Sequence, residues 1–311
     1  MATKAMMKNP ATETDAILIT GPTASGKSAL AVDLAKRHGG VVVNADSMQV
    51  YDVLRVVTAR PSVEDMGGVE HLLYGHVDPG TAYSTGDWLR EIEPILGRLK
   101  GEGRLPVIVG GTGLYFKALT GGLSEMPAIP AEVREGLRKR LTEEGPETLH
   151  RELADRDPAV AARLRPQDGQ RIVRALEVLE ATGRSIGDFQ SGGGPVIVDP
   201  DRARKFVVLP DRAMLAERIN RRFANMLDEG AIEEVEALLK RKLSPEMPAM
   251  KAIGVSQIAA MLKGEMSREA VIETAAAATR QYAKRQMTWF RNQMDESWRR
   301  IDPATVDQSR L

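Results

Sequence analysis

The sequence predicts an α/β fold: a parallel sheet covered by helices, interrupted by a helical insertion. Three observations predict it. A glycine-rich loop, Gly21-Pro22-Thr23-Ala24-Ser25-Gly26-Lys27-Ser28, joins an apolar run to a helix-like stretch. Short, wholly apolar segments alternate with helical ones through the first third, as in parallel sheets buried on both faces. Beyond Gly121-Gly122 the chain turns helical and arginine-rich, before the apolar segment Phe206-Val207-Val208-Leu209 returns.

Each element follows in order. Ala16-Ile17-Leu18-Ile19 reads as the first strand. The loop after it matches G-x-x-x-x-G-K-[ST] in full, in the strand–loop–helix context that this motif requires. Its backbone N–H groups would cradle phosphate oxygens at a helix N-terminus. Lys27 would neutralise phosphate charge, and the Ser28 hydroxyl would ligate Mg²⁺. The core is therefore expected to be P-loop NTPase-like. Gly39-Gly40 stops the first helix, as a C-terminal cap does. Val41-Val42-Val43 is the second strand and runs into Asn44-Ala45-Asp46-Ser47. His71 and His76 read as loop or surface residues. Residues 87–100 read as a helix, with Ser84 and Asp87 as its capping box and Pro94 as a kink. Leu105 to Val109 is a further strand, ending in Gly110-Gly111-Thr112-Gly113. Ligands of such sheets sit at the carboxyl ends of the strands. The phosphate loop, Asp46-Ser47 and Gly110 to Gly113 all fall there and should converge.

Pro127 and Pro130 mark the entry to the insertion, and Gly192-Gly193-Gly194-Pro195 marks its exit. Residues 211–242 read as an amphipathic helix pair. The rest is helical to about Trp298, and the last dozen residues look frayed. The expected organisation is a disordered leader at 1–14, a core domain at 15–122 and 196–300, a helical insertion domain at 123–195, and a flexible tail at 301–311.

Composition narrows the function classes. The 311 residues hold 43 Lys and Arg against 43 Asp and Glu, so the formal net charge is zero. Any nucleic-acid binding must then come from local patches. Cysteine is absent, which excludes disulfides and thiolate metal sites. The four histidines form no compact metal-ligand pair. No stretch approaches the ~20 apolar residues of a spanning helix, and residues 1–10 lack the apolar region of a signal peptide. A cytoplasmic monomer is expected.

The motifs leave several chemistries open. The strand before Gly110 ends without the acidic residue that ordinary P-loop ATPases use for Mg²⁺. A Gly-Gly-Thr turn offers N–H groups and a hydroxyl for an oxyanion, or is a plain tight turn. Asp46 is placed to act as a general base, a metal-shell ligand or a cap. On a helix, Arg280, Lys284 and Arg291 share one stripe, with Tyr282, Gln286 and Trp289 on another. That pattern suits an RNA backbone and a splayed base, or a solvated face above a packed one. Gln170-Arg171-Ile172-Val173-Arg174 is a second basic segment.

Together these segments resemble the tRNA dimethylallyltransferases, also called tRNA isopentenyltransferases. The resemblance rests on the loop at 21–28, Asp46-Ser47-Met48-Gln49-Val50-Tyr51, Thr58-Ala59-Arg60-Pro61 and Gly110 to Tyr115. It continues through residues 170–177 and 284–291, covering roughly 15–291 in family order. The resemblance implies Mg²⁺-dependent transfer of a dimethylallyl group to N6 of the adenosine 3′ to the anticodon. The donor is dimethylallyl diphosphate, and the loop would hold its diphosphate rather than ATP. Asp46 would take the N6 proton, Thr112 would contact the reacting centre, and Lys27 and Ser28 would stabilise the leaving group. Arg222 is the candidate for a further diphosphate-binding arginine, with Arg218 as runner-up. The implied tRNA contacts are Asp46, Ser47, Met48, Gln49, Thr112, Arg134, Gln170, Arg171, Ile172, Val173 and Arg174. Arg280, Lys284, Arg285, Gln286, Trp289 and Arg291 complete the set, with the insertion clamping the anticodon stem-loop. The chain departs from the usual pattern at Val57, Arg60 and Val255-Ser256. A P-loop small-molecule kinase and an RNA-binding protein with a non-catalytic P-loop are the alternatives.

Overall fold

The computed structural model describes residues 14–124, 126–190, 192–306 and 311. Of the expected leader only Thr14 is described; residues 1–13, and 307–310 of the expected tail, lie outside the described residues.

The sheet has six strands in the order β3-β2-β4-β1-β5-β6. They are β1 (Ala16–Thr20), β2 (Val41–Asn44), β3 (His71–Leu72), β4 (Pro106–Gly110), β5 (Ala203–Val208) and β6 (Arg299–Ile301). Every pairing is parallel. The central strands are buried throughout, because helices cover both faces. On one face, Leu30, Ala31 and Leu34 of the helix Lys27–His38 pack with Ile17, Ile19 and Val107. On the other, Trp88 and Ile92 of Thr85–Gly101 pack with Leu18, Val43 and Ile108.

The helix boundaries follow the caps. Gly39 adopts a left-handed conformation at φ 61° and ends the first helix. Ser84 and Asp87 form the expected capping box, and Pro94 sits inside that helix. Of the two histidines expected in loops or at the surface, one is corrected and the other holds. His71 belongs to β3, where it pairs with Val42; His76 is an exposed loop residue bonded to Glu91. The end of the chain is not uniformly frayed. Arg299–Ile301 pairs with Phe206–Val208, and Trp298, Ile301 and Leu311 are buried. Three residues of strand are too short to carry a legible alternation, so tertiary pairing decides them.

The chain divides into two compact units. One comprises the sheet and its helices, up to Thr120 and from Ile197 onward. It also holds a second core in which Phe223, Val235, Ile258 and Val271 pack with Val50 and Leu54. The other unit spans Gly121–Val196 and is helical, with its own core of Leu137, Leu149, Leu153, Ile172 and Leu176.

Glycine at the end of β4 is dictated by sterics. A Cβ on Gly110 would stand 2.0 Å from the Ala45 carbonyl oxygen. Gly110→Ala should therefore cost about 1–3 kcal/mol or more through forced separation of β2 and β4. A urea denaturation midpoint equal to that of the parent would contradict this reading.

Candidate active site

Three strand ends meet at the phosphate loop. Ala24 (φ 62°) and Gly26 (φ 92°) take left-handed conformations that turn the loop into the helix at Lys27. Gly21 lies against β5, where a Cβ would stand 2.5 Å from the Val208 carbonyl oxygen. The first turn of the helix carries no acidic residue, so its positive end is left to an anion. Ser28 is exposed there. The Lys27 ammonium donates to the Pro22 carbonyl at 3.2 Å. Removal from water lowers the Lys27 pKa to about 8; Arg222 adds to the fall and Asp46 opposes it.

Arg222, on the helix Arg212–Asp228, donates to the Thr23 hydroxyl at 2.7 Å. Burial lowers its pKa too, and Asp46 again opposes. Arg218 on the same helix approaches Gly26. Arg222 is thus the arginine bonded to the loop, with Arg218 behind it.

Asp46 is fixed by its neighbours. The Asn44 side chain accepts from the Asp46 N–H at 2.9 Å and donates to the Asp46 and Leu73 carbonyls. One Asp46 carboxylate oxygen, Oδ1, accepts from the Met48 N–H at 3.0 Å. The other, Oδ2, lies 3.3 Å from where a Gly111 Cβ would be. The Thr112 hydroxyl accepts from the Ser47 N–H at 2.9 Å, and the Thr112 N–H donates to the Ala45 carbonyl. Asp46 and Thr112 therefore occupy one junction between the ends of β2 and β4. The Asp46 charge also raises the pKa of Tyr74, Tyr115 and Tyr282, each already raised mainly by burial.

The expected RNA-contacting residues divide in two. Gln170 and Arg171 are exposed on the helix Gly169–Thr182, and Arg134 and Arg174 are half-buried on their own helices. Ile172 and Val173 are not available: both are buried in the core of the helical unit. Arg174 pairs with Glu177 at 3.1 Å. Lys284, Arg285 and Arg291 are exposed on the long helix Arg268–Gln293. Lys284, Arg285, Thr288 and Trp289 line an open depression of about 360 Å³ with Asn292 and Gln293. Arg280 is half-buried and bonded to Asn220. Gln286 faces inward and is 7% exposed. Its amide nitrogen donates to the Gly111 carbonyl at 2.9 Å, and its oxygen accepts from the Thr23 N–H at 3.0 Å. Gln286, expected to contact RNA, is turned inward, and both its polar groups bond within the protein. Met48 is half-buried against the second core, and the Gln49 amide donates to the Thr58 and Ala59 carbonyls.

The departures from the family pattern have local reasons. Val57 and Val255 are buried in the same core. Arg60 donates to the Tyr51 and Asp52 carbonyls and ties its loop together. Ser256 is exposed. Sequence reasoning missed Asn44 as the residue that orients Asp46, because a single asparagine at a strand end carries no spacing signal. It also missed Tyr74 and Tyr115, which tertiary packing brings near Asp46.

A family model described as IPP transferase matches residues 49–293, and one described as isopentenyl transferase matches residues 14–80. A tRNA dimethylallyltransferase of Rhizobium meliloti is 71% identical over 297 residues, covering 96% of this chain and 98% of that protein. The chain belongs to the tRNA dimethylallyltransferase family. A second family member, from Allorhizobium ampelinum, is 73% identical over 299 residues, covering 96% of this chain and 98% of its own. Among solved structures, the tRNA isopentenylpyrophosphate transferase of Bacillus halodurans is 34% identical with a TM-score of 0.66. That similarity covers 93% of this chain and 90% of the other. A eukaryotic dimethylallyltransferase acting on tRNA is 26% identical with a TM-score of 0.79, covering 94% and 74% of the two chains. Among the described residues, no helix is long and apolar enough to cross a membrane.

The lowered Lys27 pKa predicts a pH signature for this family member. Lys27 loses its proton as pH rises through about 8, so the cation available to an anion disappears above that pH. Relative to a Lys27→Arg variant, whose guanidinium stays charged, the parent should bind inorganic diphosphate progressively more weakly from about pH 7 to about pH 9. Parallel pH curves in calorimetry for the two proteins would refute the assignment.

Proposed function

We propose that this protein transfers the dimethylallyl group of dimethylallyl diphosphate to N6 of the adenosine 3′-adjacent to the anticodon in tRNA. The observation that carries this reading is the junction of Asp46 and Thr112 beside a phosphate loop that ends in Lys27 and is bonded by Arg222, with both cations near the Asp46 charge. A phosphate cradle alone suits many reactions. A cradle beside one oriented carboxylate suits the transfer of a group from a diphosphate to a nucleophile that must lose a proton.

The chemistry follows from charge. Adenine N6 is a weak nucleophile because its lone pair is delocalised into the ring. The reaction therefore depends on stabilising the leaving group, which preorganised cations and N–H groups do. The N6–C1 bond forms as the C1–oxygen bond of the donor breaks, diphosphate leaves, and the N6 proton passes to Asp46. Lys27, Arg222 and the loop N–H groups hold the diphosphate, and Thr112 orients the reacting centre. The target base must leave the anticodon-loop stack to reach these groups.

The donor set suits Mg²⁺. Among the described residues, no cluster of three or more His, Asp or Glu side chains forms a protein-only metal cage. Mg²⁺ commonly keeps waters and shares substrate phosphates with few protein ligands. The exposed Ser28 hydroxyl at the loop would supply that ligand, and the ion would neutralise charge on the departing diphosphate. Lys284, Arg285 and Arg291 supply tRNA-backbone contacts, as do Arg134, Gln170 and Arg171 of the helical unit, which would grip the anticodon stem.

Purified protein with Mg²⁺, donor and unmodified tRNA should yield dimethylallyl-adenosine in mass spectrometry of the tRNA nucleosides. No such product, with ATP consumed on a small acceptor instead, would favour a kinase. Asp46→Ala should lower turnover about 10²–10⁴-fold while tRNA binding stays near the parent value; equal losses in both would make Asp46 structural. Lys284→Ala should reduce the salt slope of tRNA binding by about one. An unchanged slope would return Lys284 to an ordinary solvated face.

A further inference from the structure

The side chain of Gln286 joins two segments that the reaction must hold in register. It lies on the inward face of the long C-terminal helix, between the phosphate loop and the turn after β4. Its oxygen accepts from the Thr23 N–H at 3.0 Å, and its nitrogen donates to the Gly111 carbonyl at 2.9 Å. A Cβ on Gly111 would stand 2.5 Å from the Gln286 nitrogen and 3.3 Å from Asp46 Oδ2. The glutamine amide, the Gly111 turn and the carboxylate are therefore in close contact, with no room for a larger residue at 111. Behind this, a Cβ on Gly113 would stand 2.1 Å from the Trp289 ring. The helix is seated on that turn through Trp289 and tied to the loop through Gln286.

From this geometry we infer that Gln286 is a positioning residue. It sets the separation between the donor cradle and the acceptor-side pair Asp46 and Thr112. The inference rests on the proposed prenyl transfer. Its physical basis is the amide's dual character. One acceptor meets the loop N–H and one donor meets the turn carbonyl, a combination that no carboxylate, ammonium or apolar side chain of that size provides. Thr23 is held from both sides, because its hydroxyl accepts from Arg222 at 2.7 Å. Releasing Gln286 leaves Thr23 attached to Arg222 and the start of the loop attached to β4 through Thr20, but removes the tie between Thr23 and the Gly111 turn. The donor is then still bound, and its reacting carbon loses its alignment with the base. A misplacement of about 1 Å costs about 10²-fold in rate.

The variant Gln286→Met keeps the length and removes both hydrogen bonds. Gln286→Glu keeps an acceptor for Thr23 and sets a carboxylate against the Gly111 carbonyl. Three readouts are compared with the parent: kcat, KM for tRNA, and hydrogen–deuterium exchange at the Thr23 amide. Gln286→Met should lower kcat about tenfold or more, leave the tRNA KM within about twofold, and speed exchange at Thr23. Gln286→Glu should also lower kcat but retain protection at Thr23. If Gln286→Met does not fold, the Gln286→Glu result decides. Parent-like kcat in a folded variant, or a loss entirely in tRNA KM, would overturn the inference. A parent protein that makes no prenylated tRNA would instead overturn the proposed function, and the Thr23 exchange would still report the strut.

Discussion

The structure depends on how closely the ends of β2 and β4 approach. The Ala45 N–H donates to the Val109 carbonyl, and the Ala45 carbonyl receives the Thr112 N–H in turn. The Gly110 α-carbon lies against that same carbonyl, with no space for a side chain. This contact converts two strand ends into one surface. It places the Thr112 hydroxyl against the Ser47 N–H and brings the Gly111 turn beside Asp46. Thr20 at the end of β1 adds to it by donating to the Gly110 carbonyl at 3.0 Å. The phosphate loop begins one residue later. A backbone contact between β2 and β4 thus sets where Asp46, Gly111 and Thr112 stand.

Charge organises the same region. Lys27 and Arg222 are both taken out of water, and burial disfavours their charged forms. Asp46 offsets part of that cost at each. An anion bound at the loop would offset more of that cost. The glycines serve this arrangement by letting backbone approach backbone, at β5 for Gly21 and at β2 for Gly110. The single asparagine before Asp46 spends its whole amide on local backbone, which keeps the carboxylate from turning away.

The two basic segments illustrate the limit of pattern reading. Residues 170–174 look like one basic run, yet a helix turns Ile172 and Val173 into the core while Gln170 and Arg171 stay exposed. The same periodicity separates Lys284 and Arg285 from Gln286 on the C-terminal helix. Contiguous residues in a motif can therefore serve different purposes, some meeting solvent and some supporting the site from behind. The departures at Val57 and Val255 follow the same logic, since both fill one apolar core.

The sequence by itself determined the phosphate loop, the parallel sheet, the helical insertion and the convergence of Asp46, Thr112 and Lys27. Those features arise from local rules: glycine at forced turns, unbroken apolar strands, and ligand sites at strand ends. The capping box at Ser84 and the glycine stop at Gly39 were legible for the same reason. Only the tertiary structure decided the short strands β3 and β6, because two or three residues carry no period of their own. It alone brought Gln286 to the Thr23 N–H and the Gly111 carbonyl, and it bonded Arg222, already the favoured arginine, to Thr23. Those assignments depend on contacts across 263 and 199 residues of chain. No local spacing encodes which of several polar side chains on a helix will meet a loop so far away.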